Sequence, residues 1–197
     1  MPRVRADDYD AKTQSILDSA ASLFAKVGYP NAKMQDIAKA CGASKSMLYH
    51  YFPAKDDLLF AMLEEHLENL IASIEEIAAQ PGTAAQRFGS FVQAYAQKSV
   101  QSRRRHLSAM NDLKFLPKNL QTPLLQLETR VTELVAGMLR ELNPKLQEDA
   151  YKPYTMLLVG MLNWTDTWYK PGGTIKPQEL CERISRLFLT GFLAEKA

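Results

Sequence analysis

At 197 residues, 46% hydrophobic and 23% charged, the chain has the composition of a soluble globular protein and enough length for a sizeable core. Its formal charge of +2 is too small to imply any partner by itself. Two cysteines, Cys41 and Cys181, lie far apart without metal-ligand spacing, which argues against a disulfide framework. No charged-then-apolar leader and no apolar run of bilayer length is read, so a reducing cytoplasm is the expected location and no membrane is an expected partner.

Ile16, Leu17, Ala20, Leu23, Phe24 and Val27 recur at helical spacing and predict a first helix that stops at Gly28. Two short pieces follow, "MQDIAKA" and "SKSMLYHYF", separated by Cys41-Gly42 and stopped by Pro53. A long helix is expected from about Lys55 to Ala79, with Leu58, Leu59, Met62, Leu63, Leu70, Ile74 and Ile77 inward, until "AQPGTA" breaks it. Further helices are expected near Ala84–Ser102, Arg104–Leu113, Leu124–Leu142, Leu146–Tyr169 and Pro177–Leu193. Their separators, "FLPKNLQTP", "NPK" and "KPGGTIKP", are rich in turn residues. No segment alternates with period two for long enough to make a strand. The expected fold is all-α: a compact N-terminal three-helix unit joined by a long helix to a larger C-terminal bundle.

Charge is distributed unevenly. Between Lys26 and Lys55, five lysines (Lys26, Lys33, Lys39, Lys45, Lys55) face only Asp36, a local charge of +4. In the same stretch two short helices flank a glycine turn, the helix-turn-helix arrangement. Gly42 supplies backbone freedom at the end of the first helix, and Ser44 is a good N-cap for the second. A helix made only to fill a core has no use for Lys45, Ser46, Tyr49, His50 and Tyr51. In a helix-turn-helix unit the second helix enters the major groove while flanking groups grip phosphates. Leu48 and Phe52 are therefore expected to face the core, with Tyr51 near it, and Ser44, Lys45, Ser46, Tyr49 and His50 to face DNA. Lys33, Gln35 and Lys55 are the expected phosphate contacts.

The string from "ILDSAASLFAKVGYPNAKMQDIAKACGASKSMLYHYFPAKDDLL" resembles the N-terminal domain of the tetracycline-repressor (TetR) family. Ala21, Leu23, Phe24, Gly28, Tyr29, Asp36, Ile37, Ala38, Gly42, Ser44, Leu48, Tyr49, Tyr51, Phe52, Lys55 and Leu58 match its pattern. The resemblance implies a homodimeric, ligand-released repressor of a palindromic operator in double-stranded DNA, with a helix-turn-helix domain over residues 10–57. Residues 58–197 would then bind ligand and dimerise. Two positions depart from the family: Lys33 and Ala54 stand where hydroxyl N-caps are usual, so the start of the fourth helix is expected to be looser by about 0.5–2 kcal/mol. Cys41 replaces a small residue and reads as a small buried hydrophobe.

In the C-terminal half, "NWTDTWY" through "FLTGF", with "NDLKFLP" and "LETRV", resembles the subgroup of these repressors that answers to acyl-CoA thioesters. That resemblance implies an acyl-CoA effector, fatty acyl-CoA or phenylacetyl-CoA, and control of catabolic genes. No cofactor and no metal is expected. Arg103, Arg104 and Arg105 of "QSRRRHL" are candidates for the coenzyme A phosphates, because a guanidinium suits bidentate phosphate contacts. Phe88, Phe91, Tyr95, Met110, Asn111, Phe115, Trp164 and Trp168 are the remaining candidate ligand residues, and core packing is the competing account of the apolar ones. The stripe Leu180, Ile184, Leu187, Phe188 and Gly191 is the expected dimer face. His50, His66 and His106 sit in no metal or nucleophile motif, and no phosphate-binding glycine loop is present, so catalysis is not expected. The competing effector class is the lipophilic molecules sensed by repressors of efflux or stress operons.

Overall fold

The computed structural model describes residues 3–97, 100–170 and 172–196. Among them are nine α-helices, one 3-10 turn and no strand, the all-α architecture expected. They are α1 Arg3–Val27, α2 Met34–Ala40, α3 Lys45–Tyr51, α4 Lys55–Ala78, α5 Ala84–Ala96, α6 Val100–Asp112, the 3-10 turn Leu113–Phe115, α7 Lys118–Leu142, α8 Glu148–Trp168 and α9 Pro177–Ala194.

The chain divides into two compact units, and one cut in the sequence does not separate them. The first comprises Met1–Leu67 with Ser99–Gln126, and the second comprises Glu68–Lys98 with Leu127–Ala197. Helices α4 and α7 each run from one unit into the other. The first unit thus extends beyond the expected residues 10–57 and includes α6.

In the first unit, α1 buries Ile16, Leu17, Ala20, Ala21 and Phe24 at the spacing of one helical face. It packs on α2 and α6. Met34, Ile37 and Ala38 of α2, Leu48 of α3, and Leu58, Leu59, Met62 and Leu63 of α4 complete this core. In the second unit α5, α8 and α9 pack together. Phe88 of α5 stacks on Phe188 of α9 at 5.7 Å, and Phe188 in turn stacks on Phe192 at 5.4 Å. Thr83 opens α5 with a capping box to Gln86, which satisfies two helix-end donors.

Two helix boundaries differ from expectation. The helix expected near Ala84–Ser102 ends as α5 at Ala96, and α6 begins at Val100, so Arg103, Arg104 and Arg105 all lie inside α6. No glycine or proline marks that break. Helix α7 begins at Lys118, before Pro123, which falls in its second turn and forfeits one bond to the Asn119 carbonyl.

Candidate nucleic-acid interface

The geometry of the helix-turn-helix follows from its turn. Gly42 has a φ of 62°, where a side chain is disfavoured. This lets Ala43 donate its N–H to the Ala38 carbonyl at 2.9 Å and Gly42 to that of Lys39 at 3.3 Å, the paired bonds of a Schellman stop. From α1, Lys12 donates to the Cys41 carbonyl at 2.9 Å and ties the first helix to the same turn. Two residues later Ser44 accepts from the Met47 N–H at 3.1 Å and starts α3. Leu48 is then fully buried, which fixes the rotation of α3 about its axis and turns Ser44, Lys45, Ser46, Met47, Tyr49 and His50 outward. Tyr51 stacks on Tyr9 of α1 at 4.6 Å, close to the core as expected.

Beside α3 lies an open concavity of about 490 Å³, lined by Ala32, Lys33, Met34, Gln35, Lys45, Tyr49, Ala54 and Lys55. Five of the eight expected DNA contacts therefore converge on it. Ser44, Ser46 and His50 lie outside that lining but on the exposed surface of the same helix. Lys45 sits 5.8 Å from the Tyr49 ring centroid, within cation–π reach.

Lys55 is tied to the protein's own backbone at the edge of this concavity. Its ammonium donates to the carbonyls of Tyr29 at 2.8 Å, Ala32 at 3.1 Å and Pro30 at 3.3 Å, and lies 4.3 Å from the Tyr29 ring centroid. Three backbone acceptors thus surround the ammonium, and its positive charge remains at the concavity. Tyr29 also bonds through its hydroxyl to Asp56, and desolvation, followed by that hydrogen bond, raises the tyrosine pKa. Ala54 has no capping side chain, but its N–H donates to Asp57 at 2.9 Å. Half of a capping box thus compensates for the missing hydroxyl at the start of α4. At Lys33 no side-chain cap forms for α2, as the departure from the family pattern implied.

The candidate ligand residues are divided between the two units. Arg103, Arg104, Arg105, Met110, Asn111 and Phe115 belong to the first unit, and Phe88, Phe91, Tyr95, Trp164 and Trp168 to the second. Arg105 is only 7% exposed and donates to Asp18, Glu65 and Gln14; Arg104 donates to Ser22 of α1 at 2.7 Å. These two guanidinium groups fasten helices together instead of facing outward for phosphate. Met110 and Phe115 are exposed, and Asn111 turns back to the Leu107 carbonyl at 2.8 Å. Phe88, Phe91 and Tyr95 are buried, the Tyr95 hydroxyl donating to Asn163 at 2.6 Å. Trp164 and Trp168 are exposed on α8.

Among the described residues no group of three or more histidine, cysteine or acidic side chains could hold a metal, and no helix is long and apolar enough to cross a membrane.

Residues 16–62 match the family described as bacterial regulatory proteins of the tetR family, and residues 81–192 match the tetracyclin repressor-like C-terminal domain. The second match alone spans more than half of the chain. A TetR-family transcriptional regulator from Bordetella parapertussis 12822 is 34% identical, with a TM-score of 0.84 over 94% of this chain and 97% of that one. The chain belongs to the TetR family. It is thus a DNA-binding transcriptional regulator of the helix-turn-helix type, and its family is not one of enzymes. Among curated TetR relatives, the transcriptional repressor KstR2 of Rhodococcus jostii is 26% identical over 94% of this chain and 95% of its own length. The TetR fold is also that of AibR, solved with isovaleryl coenzyme A and operator DNA. That structure is 17% identical, with a TM-score of 0.78 over 89% of this chain and 97% of that one.

Proposed function

We propose that this regulator is a repressor that binds a palindromic operator as a homodimer, one α3 per half-site, and leaves it when a CoA thioester binds the C-terminal half. The observation that carries the DNA half of this reading is the lysine-lined concavity beside the outward face of α3. Lys33 and Lys45 supply phosphate contacts there, Gln35 a polar one, and Ser44, Ser46, Tyr49 and His50 present donors and acceptors to base edges. Dimerisation is supported by the second unit, where Leu157, Trp164 and Trp168 of α8 and Leu187 of α9 are exposed. Large apolar groups left uncovered together in one unit are the composition of an interface centre.

The effector reading rests on the resemblance to acyl-CoA-responsive repressors and on the isovaleryl coenzyme A in the AibR complex, a shared fold. A ligand releases the repressor only by its differential affinity for the two conformations, and a coupling of ~1–3 kcal/mol lowers operator affinity about 5- to 150-fold. The test is a titration of the protein–operator complex with long-chain acyl-CoA, phenylacetyl-CoA, the free acids and free CoA. Release by thioesters alone supports the proposal. Equal release by the free acids transfers the protein to the sensors of lipophilic molecules.

A further inference from the structure

The two flanks of α3 differ in chemistry. Successive residues turn by about 100° around a helix, so with Leu48 buried, Ser46 and His50 point directly away from the core, and Tyr49 and Met47 flank them on opposite sides. The Tyr49 flank is polar and cationic: with Lys45, Lys33 and Gln35 it lines the concavity. Met47 is absent from that lining and is 43% exposed. Its N–H is held by the Ser44 hydroxyl at 3.1 Å, so its place in the first turn is fixed. In a surface run of Ser44, Lys45, Ser46, Tyr49 and His50 it is the one purely apolar side chain.

The edges of base pairs in the major groove carry a single apolar group, the thymine 5-methyl. A thioether chain that must be covered when α3 enters the groove has that methyl as its chemical match, and methionine's flexible, polarisable chain adapts to it. We propose that Met47 is a specificity-determining residue that reads a thymine methyl in each operator half-site, from the flank of α3 opposite the lysines. This rests on the reading of α3 as the recognition helix.

The probe is the tightest-binding duplex that the full-length protein selects from a random-sequence pool, with each thymine replaced in turn by deoxyuridine, which removes only the methyl group. Burying one methyl corresponds to about a 4-fold change in affinity, so deoxyuridine at the contacted position weakens binding about 4-fold per half-site and ~16-fold in both. M47A is expected to bind the thymine duplex more weakly and to be indifferent to deoxyuridine at that one position. M47L, which keeps an apolar chain, is expected to retain most of the sensitivity. If the wild type tolerates deoxyuridine everywhere, or M47A keeps the full sensitivity, the assignment of Met47 is overturned while the DNA reading stands. If no duplex is enriched at all, the recognition-helix reading fails and the assignment with it.

Discussion

Arg105 of α6 donates to the Asp18 carboxylate of α1 at 2.6 Å, across 87 residues of sequence. The same guanidinium reaches Glu65 of α4 at 2.8 Å and Gln14 at 3.1 Å, so one side chain joins three helices of the first unit. On the next rung His66 and His106 share a hydrogen bond of 3.2 Å between buried rings. Consecutive residues of α4 thus pair with consecutive residues of α6.

Arg105→Lys is a sharp test of this junction. A lysine keeps the charge but has no planar fork to reach two carboxylates and an amide at once. The carboxyl partners remain partly solvated, with side-chain exposures of 47% for Asp18 and 28% for Glu65, so a loss of roughly 1–3 kcal/mol is expected rather than the larger penalty of a fully buried pair. Urea unfolding monitored by circular dichroism measures it. A midpoint unchanged from wild type would mean that the network adds nothing to stability.

What could be read from the sequence divides along physical lines. The helix-turn-helix was legible because its determinants are local: a glycine turn, a serine cap two residues on, and an apolar position four beyond that cap. The arginine run was not. A run of like charges looks like a solvated face or an anion site, and the carboxylates that pair with Arg105 lie 40 and 87 residues away on other helices. The tether of Lys55 was illegible for the same reason, since its three acceptors are backbone carbonyls of the loop between α1 and α2, 23 to 26 residues away, which carry no sequence signature. The outward placement of Met47 is legible too, because the 100° step from buried Leu48 sets it on the surface.

Lys55→Met should therefore act on stability before it acts on DNA. Hydrogen bonds to a charged group contribute roughly 1.5–3 kcal/mol each where desolvated, and this site is only half-buried, so a total loss of about 2 kcal/mol is expected. The methionine keeps the stem but leaves the carbonyls of Tyr29, Pro30 and Ala32 without their donor. The slope of log affinity for DNA against log salt should change less than in Lys33→Ala or Lys45→Ala, whose ammonium groups form no such tether. An equal loss of slope in all three would assign Lys55 to the phosphates after all.

Asp112, at the end of α6, predicts a pH dependence. Burial raises its carboxyl pKa above the usual range, while a hydrogen bond from Ser108 and the charge of Lys114 pull it partly back. A carboxyl whose folded pKa exceeds its unfolded one binds its proton more tightly in the native state. Its favourable contribution is present in acid and is lost as pH rises through the folded value. At neutral pH the buried carboxylate thus costs stability. Asp112→Asn should raise Tm relative to wild type at pH 7, and the difference should shrink as pH falls towards the ordinary carboxyl range of about 4. A gain that is the same at both pH values would point to packing instead of charge.

The dimer surface gives the last prediction. The expected stripe on α9 divides in two: Leu180, Ile184 and Phe188 are buried within the second unit, whereas Leu187 and Gly191 face outward. Leu187 is 68% exposed, as is Trp164 of α8. Leu187→Glu therefore removes little packing from one chain, and the folded protomer should unfold near the wild-type midpoint. Across an apolar two-fold contact the same change places two unpaired carboxylates in close company, where desolvation and like charge both oppose association. Ile184→Glu, by contrast, puts a charge into the core of a single protomer and should unfold it. Sedimentation equilibrium should show Leu187→Glu shifted towards monomer, with weakened binding to a palindromic duplex and little change on an isolated half-site. A variant that stays dimeric with wild-type palindrome affinity would remove Leu187 from the interface and leave the α8 tryptophans as the surface to test.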